Sequence, residues 1–270
     1  MNQFVSYHNH SLWSDGKSTI AEMVDAAAKS GLAEVGLSDH FVLTPYLGSN
    51  WREWSMPLEG LDEYVREVRA AADSAGITVR LGLEIDYFPE TWKKLEDYTS
   101  QHDFDYLIGS VHSADGFPID SAASYWESLG QEQIDATWRL YLQRLREAAE
   151  TRAFDFIGHL DLPKKFRFRP SFDPTPLIEA VLDAIKAADT ALELNVSGWD
   201  KPCAEPYPTL DIIRKARDRE IPMLLSADAH EPGRICGNFT RGAKLLREAG
   251  YTETVRFANR VRTTHPIERT

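Results

Sequence analysis

The chain has 270 residues, enough for one large domain with a sizeable core, and its 43% hydrophobic and 27% charged residues are ordinary for a globular protein. A formal net charge of −12 argues against a general binder of nucleic acid or of anionic membranes, which needs a surplus of Lys and Arg. Residues 1–8 lack the marks of a signal peptide, no stretch approaches the ~18 apolar residues of a membrane span, and Cys203 and Cys236 lack metal-ligand spacing; the expectation is a cytoplasmic protein with neither nucleic acid nor membrane as partner.

In chain order, apolar runs predict strands at 4–8, 34–38, 79–84, 106–111, 154–158, 191–196 and 223–226. Between and after them, amphipathic stretches predict helices at 18–29, 61–75, 90–100, 131–151, 175–188, 209–220 and 240–249. Ser18 with Glu22, and Asp173 before Pro174, read as helix starts; Gly31, Gly76 and Gly250 read as helix stops. No repeat or linker divides the sequence, so 1–270 reads as a single domain. Regular strand–helix alternation implies an α/β fold with a parallel sheet. Seven units without a glycine-rich dinucleotide fingerprint after the first strand favour a barrel over a doubly wound sheet.

Six of the eight histidines fall in short clusters that also carry acids: His8-Asn9-His10, Ser38-Asp39-His40, Ser110-Val111-His112, Gly158-His159-Leu160-Asp161 and Ser226-Ala227-Asp228-Ala229-His230, joined by Gly82-Leu83-Glu84. Imidazole and carboxylate are the usual ligands of zinc, manganese and iron. The clusters lie at the C-terminal ends of predicted strands one, two, three, four, five and seven, which converge on one face of a parallel barrel. Strand six reads as lacking an imidazole or acid at its end and offers Asn195 and the loop 197–201. Asp86 reads as a partner for a helix, and His102 and His265 as solvated residues of a loop and a polar tail. The segment 51–57, with Trp51 and Trp54, falls on the same face and reads as a wall for the organic part of a substrate.

The order His-x-His, Asp-His, Glu, His, Gly-His, Asp-x-His resembles the PHP (polymerase and histidinol phosphatase) superfamily. Within it, Tyr7-His8-Asn9-His10, Ser14-Asp15-Gly16, Leu83-Glu84-Ile85-Asp86-Tyr87-Phe88, Gly109-Ser110-Val111-His112, Gly158-His159-Leu160-Asp161-Leu162 and Glu205-Pro206-Tyr207-Pro208 resemble the histidinol-phosphatase branch. The resemblance implies a distorted (β/α)7 TIM-like barrel with three divalent metal ions, commonly zinc, manganese or iron. By it, His8, His10 and Asp228 hold one ion; Glu84 bridges to a second, completed by His112 and His159; Asp15, His40 and His230 hold the third. A hydroxide bridging two cations would then attack the phosphorus of a small phosphorylated substrate. Asp39 and Asp161 are the carboxylates placed to protonate the leaving alkoxide or to orient ligands, Asp39 as the partner of the His40 imidazole.

One departure concerns the substrate. Where the branch typically has Gly-Leu-Arg-Lys, with the Arg on phosphate, this chain has Gly198-Trp199-Asp200-Lys201, and an Asp there would repel a dianion. Lys201 and the basic run 164–169, with Lys165 and Arg167, are the other sources of phosphate-binding charge. The implied activity is hydrolysis of L-histidinol phosphate to L-histidinol and phosphate, a step of histidine biosynthesis. The rivals are a PHP phosphoesterase acting on another phosphomonoester or on a nucleotide or cyclic phosphodiester, and a metal-binding module without turnover.

Overall fold

A computed structural model of the chain describes residues 4–46 and 51–267, the side chain of Arg52 excepted. Residues 1–3 of the N-terminal stretch and the Arg52 side chain of the 51–57 loop therefore lie outside the described residues.

Among these residues, seven parallel strands pair in chain order: Val5–Ser6, Glu34–Leu37, Thr78–Asp86, Tyr106–Ser110, Phe156–Ile157, Ala191–Asn195 and Met223–Ser226. Each lies within two residues of its predicted bounds. The first and last strands meet only beyond their regular parts, where His10 N donates to Ala229 O at 2.9 Å and Ala229 N to His8 O at 3.2 Å. The result is a nearly closed, distorted (β/α)7 barrel, as the resemblance implied. The second strand breaks at Ser38-Asp39 and resumes at His40–Phe41, still paired with the third strand, so that His40 stands opposite Glu84. That break carries His40 into the mouth of the barrel.

Helix punctuation differs in detail from the sequence reading. The Ile20–Lys29 helix is capped by Thr19, not Ser18: Glu22 N donates to Thr19 Oγ1 at 3.2 Å, and Thr19 N donates to the Glu22 carboxylate at 2.9 Å. A capping box needs its acid three residues after the cap, which Thr19 satisfies and Ser18 does not. Asp173 accepts Thr175 N at 3.0 Å. Gly31 and Gly250 take the left-handed conformation, with φ 71° and 96°, that ends a helix without a Cβ clash. Gly76 does not, because Leu61–Ser74 runs out through an extended Ala75.

The lower end of the barrel is filled. Tyr106 lies across it, and a Cβ at Gly36 or Gly82 would come within 2.2 Å of the Tyr106 ring, so those two positions accept no side chain. Val255 and Phe257 join Tyr7, Tyr106, Ile108 and Phe156 in this cluster. They come from a C-terminal hairpin, Glu253–Ala258 against Val261–Pro266, that the sequence reading took for a polar tail. His265 is therefore a half-buried strand residue. His102 is likewise half-buried and sits 3.0 Å from Asp62. With the bottom closed by aromatic packing, worth about 1.5–3 kcal/mol per fully buried large side chain, only the C-terminal mouth is open.

Candidate metal centre

Strand alternation places His8 and His10 on one side of the first strand's extension and Glu84 and Asp86 on one side of the third. Glu84 is fully buried at the centre of the mouth, and its two oxygens face different groups. Oε1 lies 2.9 Å from His159 Nε2, 3.5 Å from His112 Nε2 and 2.6 Å from the donating Ser110 hydroxyl. Oε2 lies 2.9 Å from His8 Nε2, 3.0 Å from His40 Nδ1 and 3.5 Å from His10 Nε2. Asp228 Oδ1 sits 3.4 Å from His10 Nε2 and 3.8 Å from His8 Nε2, while Asp15 Oδ1 sits 3.2 Å from His230 Nε2 and 3.6 Å from His40 Nε2.

All nine residues proposed as ligands from the sequence thus meet at one place, although they come from six strand ends and a loop. Their donor atoms form four overlapping sets, each within 4.8 Å: His8, His10 and Asp228; His8, Glu84 and His159; His40, Glu84 and His112; and His10, Asp15, His40 and His230. The division differs from the expected one: His10 also joins the Asp15 set, and His112 and His159 do not share a set, His159 grouping with His8 and Glu84 and His112 with His40 and Glu84. His8 Nε2, His10 Nε2, His40 Nδ1 and Glu84 Oε2 are buried and make no hydrogen bond. Buried polar atoms nearly always have a partner. Four such atoms converging, all nitrogen or carboxylate oxygen, fit divalent cations.

Glu84, Asp228 and His10 are held in the deprotonated form that ligates, whereas at His8, His40, His112 and His230 carboxylates outweigh burial and favour the protonated form, so cations binding there would displace protons. Burial would raise the Glu84 carboxyl, but His8, His40 and His112 outweigh it and hold it well below the carboxylate range. Asp228 is likewise held down against burial by His8, His10 and His230. Burial, helped by the charges of His230 and His40, pushes His10 down to about 3, so its ring is neutral at ordinary pH, the form that ligates. Burial opposes charge on His112 and His230, but nearby carboxylates prevail: Asp86 and Glu84 hold His112 at about 10, and Asp15 and Asp228 hold His230 at about 9.

A ring of further residues holds these side chains. Asp86 Oδ1 sits 2.5 Å from His112 Nδ1, so this acid orients a site histidine instead of pairing with a helix. Glu193 Oε1 sits 2.6 Å from His8 Nδ1, and Asn195 Nδ2 donates to Asp228 Oδ2 at 3.0 Å. The sixth strand therefore does carry a site acid. Glu193 lies within the strand, two residues before Asn195 and on the same face; the period of two was the signal that could have found it.

The expected acids and bases are rearranged. Asp39 accepts Ser11 N at 2.7 Å, Ser11 Oγ at 2.8 Å and Ser14 Oγ at 2.6 Å, so it ties down the loop after His10 and neither reaches the cavity nor bonds the His40 ring. Asp161 is buried against Lys164, whose Nζ donates to its Oδ2 at 2.7 Å, and it also stands behind the cavity wall. Arg167 has φ 72° and donates to Pro202 O at the surface, away from the cavity. Lys165 and Lys201 do line the cavity. Lys165 is already paired with Asp120 at 3.0 Å, which leaves Lys201 as the exposed ammonium of the strand-six loop. Asp200 points elsewhere, with Oδ2 2.9 Å from Arg234 Nη1 and 3.2 Å from Asn238 Nδ2.

The cavity above the cluster holds about 1090 Å³, room for a small organic molecule. His40, His112, His159, Asp228 and His230 form its floor; Tyr46, Trp51, Trp54, Phe88 and Tyr125 line its wall; Lys17 and Lys201 stand on another side. Trp54 meets His40 edge-on at 5.0 Å, so the 51–57 segment does form a wall against the centre.

Known proteins resemble the chain over most of its length. Over 245 residues, the chain is 38% identical to a Deinococcus radiodurans protein described as a probable histidinol-phosphatase, covering 90% of this chain and 91% of that one. It is 25% identical to part of a Bacillus subtilis DNA polymerase/3'-5' exonuclease, of which it spans 38%. Its fold matches the crystal structure of histidinol phosphate phosphatase from Lactococcus lactis, complexed with zinc, L-histidinol and phosphate, with a TM-score of 0.80 at 20% identity, over 97% of this chain and all of that one. The model of the PHP domain matches residues 6–197, and the chain belongs to that family.

Proposed function

We propose that residues 1–270 form one metal-dependent phosphatase domain that hydrolyses L-histidinol phosphate to L-histidinol and phosphate. The observation that carries the reading is Glu84: a buried carboxylate, beneath the histidines that floor an open cavity, whose two oxygens face two histidine groups as a residue shared between two cations would. In this reading His8, His10 and Asp228, then Glu84, His112 and His159, then Asp15, His40 and His230 hold three divalent ions, zinc, manganese or iron. Such ions, when bound, neutralise phosphoryl charge and lower the pKa of water.

The chain's own residues do the rest. Lys201 supplies a mobile positive charge for the phosphate at the cavity edge. Trp51 and Trp54 cover one side of the substrate and limit water access. Asp39 and Asp161, behind the wall, keep loops in place and take no part in proton transfer. The names of the relatives that match nearly end to end support histidinol phosphate, and with it a place in histidine biosynthesis; a cytoplasmic location belongs to the same reading. Among the described residues, no helix is long and apolar enough to cross a membrane. Asp200, which would have argued for another phosphoester, has its charge offset by Arg234 outside the cavity.

The test is phosphate release by zinc- or manganese-loaded protein, with histidinol phosphate beside nucleotides, cyclic phosphodiesters and sugar phosphates. A strong preference for histidinol phosphate, lost on chelation, is expected. A better substrate elsewhere in the panel would overturn the substrate assignment.

A further inference from the structure

Glu193 is fully buried and does not line the cavity above the cluster, yet its carboxylate meets His8, His159 and Asn195. Its Oε1 sits 2.6 Å from His8 Nδ1. Its Oε2 accepts the His159 backbone N–H at 2.8 Å and Asn195 Nδ2 at 3.2 Å. Asn195 passes the constraint on, donating to Asp228 Oδ2 at 3.0 Å.

A neutral imidazole carries one proton, and the nitrogen without it is the one able to ligate. A carboxylate only accepts, so Glu193 holds that proton on His8 Nδ1. Nε2 faces Glu84 at 2.9 Å and Asp228 at 3.8 Å, and in the metal-site reading a cation takes the place of a proton there, so the one proton left on the ring is the one Glu193 accepts. We propose that Glu193 is the positioning residue of this centre: it sets the tautomer of His8 and, through the same carboxylate, fixes the backbone of His159 and the aim of Asp228. The proposal rests on the metal-site reading above and adds to it a residue that touches neither cation nor substrate.

Glu193→Gln is nearly isosteric and tests the polarity of the contact. The oxygen facing His159 N–H and Asn195 must stay an acceptor, because two donors point at it. The new amide N–H2 is thereby turned toward His8 Nδ1, which drives the His8 proton to Nε2 and blocks that atom as a ligand. The variant should bind zinc about 10–100-fold more weakly, the usual cost of losing a carboxylate behind a ligating histidine. In a His8→Ala background, Glu193→Gln should weaken binding by much less, since its main route is gone.

Zinc affinity is read by competition with a chromophoric chelator, and the His8 tautomer by long-range 1H–15N NMR of the zinc-loaded protein. Wild type should show the proton on Nδ1 and shifted strongly downfield, as for an N–H donating to a carboxylate at 2.6 Å, a measurement that needs no variant and stands if Glu193→Gln does not fold. A proton on His8 Nε2 in wild type, or unchanged zinc affinity in a folded Glu193→Gln, would overturn the proposal. If wild type itself bound no zinc, the metal-site reading would fail, and that result is separate from either outcome for Glu193.

Discussion

Asp200 Oδ2 lies 2.9 Å from Arg234 Nη1, an ion pair that offsets the charge of the acid in the strand-six loop. From the sequence, an Asp at this point sits where a phosphate-binding Arg would be, and replacing it with Arg should have helped turnover. The ion pair changes that expectation. Asp200→Arg would set two guanidinium groups together and lose the pair that now balances Arg234. We expect Asp200→Ala to change kcat/KM by less than about threefold, the scale of an exposed pair. Lys201→Ala should raise KM by about tenfold, the scale of a lost charge-assisted contact with phosphate. An unchanged KM for Lys201→Ala in steady-state kinetics would show that this lysine does not set phosphate affinity.

Glu84→Ala removes the one residue that faces both histidine groups. Activity should fall on the order of 10³-fold or more, since losing a single stabilising donor already costs 10²–10³. Elemental analysis should show fewer bound ions per chain. A variant with full activity and a full metal complement would refute the assignment of the centre.

Chelation should remove activity and also lower the melting temperature, because the ligands converge only in the folded chain and bound ions stabilise it by mass action. Adding back zinc or manganese should restore both. Differential scanning fluorimetry with and without chelator makes the comparison, and a melting temperature unmoved by chelation would argue against cations at the site.

Asp155 gives a pH signature far from the centre. It accepts Leu107 N at 2.7 Å and pairs with Arg260 of the C-terminal hairpin, yet burial pushes its carboxyl up to about 6 from an ordinary 3.8. The folded state then holds a proton that the unfolded state has lost, so this group's contribution to stability falls as pH rises from about 4 through 6. The melting-temperature difference between wild type and Asp155→Asn should therefore shift against wild type across that range. A shift the other way would mean that the Arg260 pairing outweighs burial.

The sequence alone was enough for the barrel and for the membership of the cluster. Histidine and acid recur at the ends of apolar runs, and in a parallel barrel those ends share a face whatever lies between them. His8, Glu84 and His230 were legible for that reason. The C-terminal hairpin was harder to see, because only Val255 and Phe257 face inward along it and its second strand is largely polar.

What only the tertiary structure decided is where side chains point once distant segments meet. Asp39 stands next to a site histidine in sequence and yet serves Ser11 and Ser14, while Glu193, 185 residues from His8, makes a 2.6 Å contact with it. Asp161 and Arg167 carry suitable chemistry but are spent on Lys164 and Pro202. Residue type and strand position determine which groups arrive at the mouth. Hydrogen bonding is different: it depends on direction and on distances below about 3.5 Å, and sequence spacing sets neither of these between separate strands.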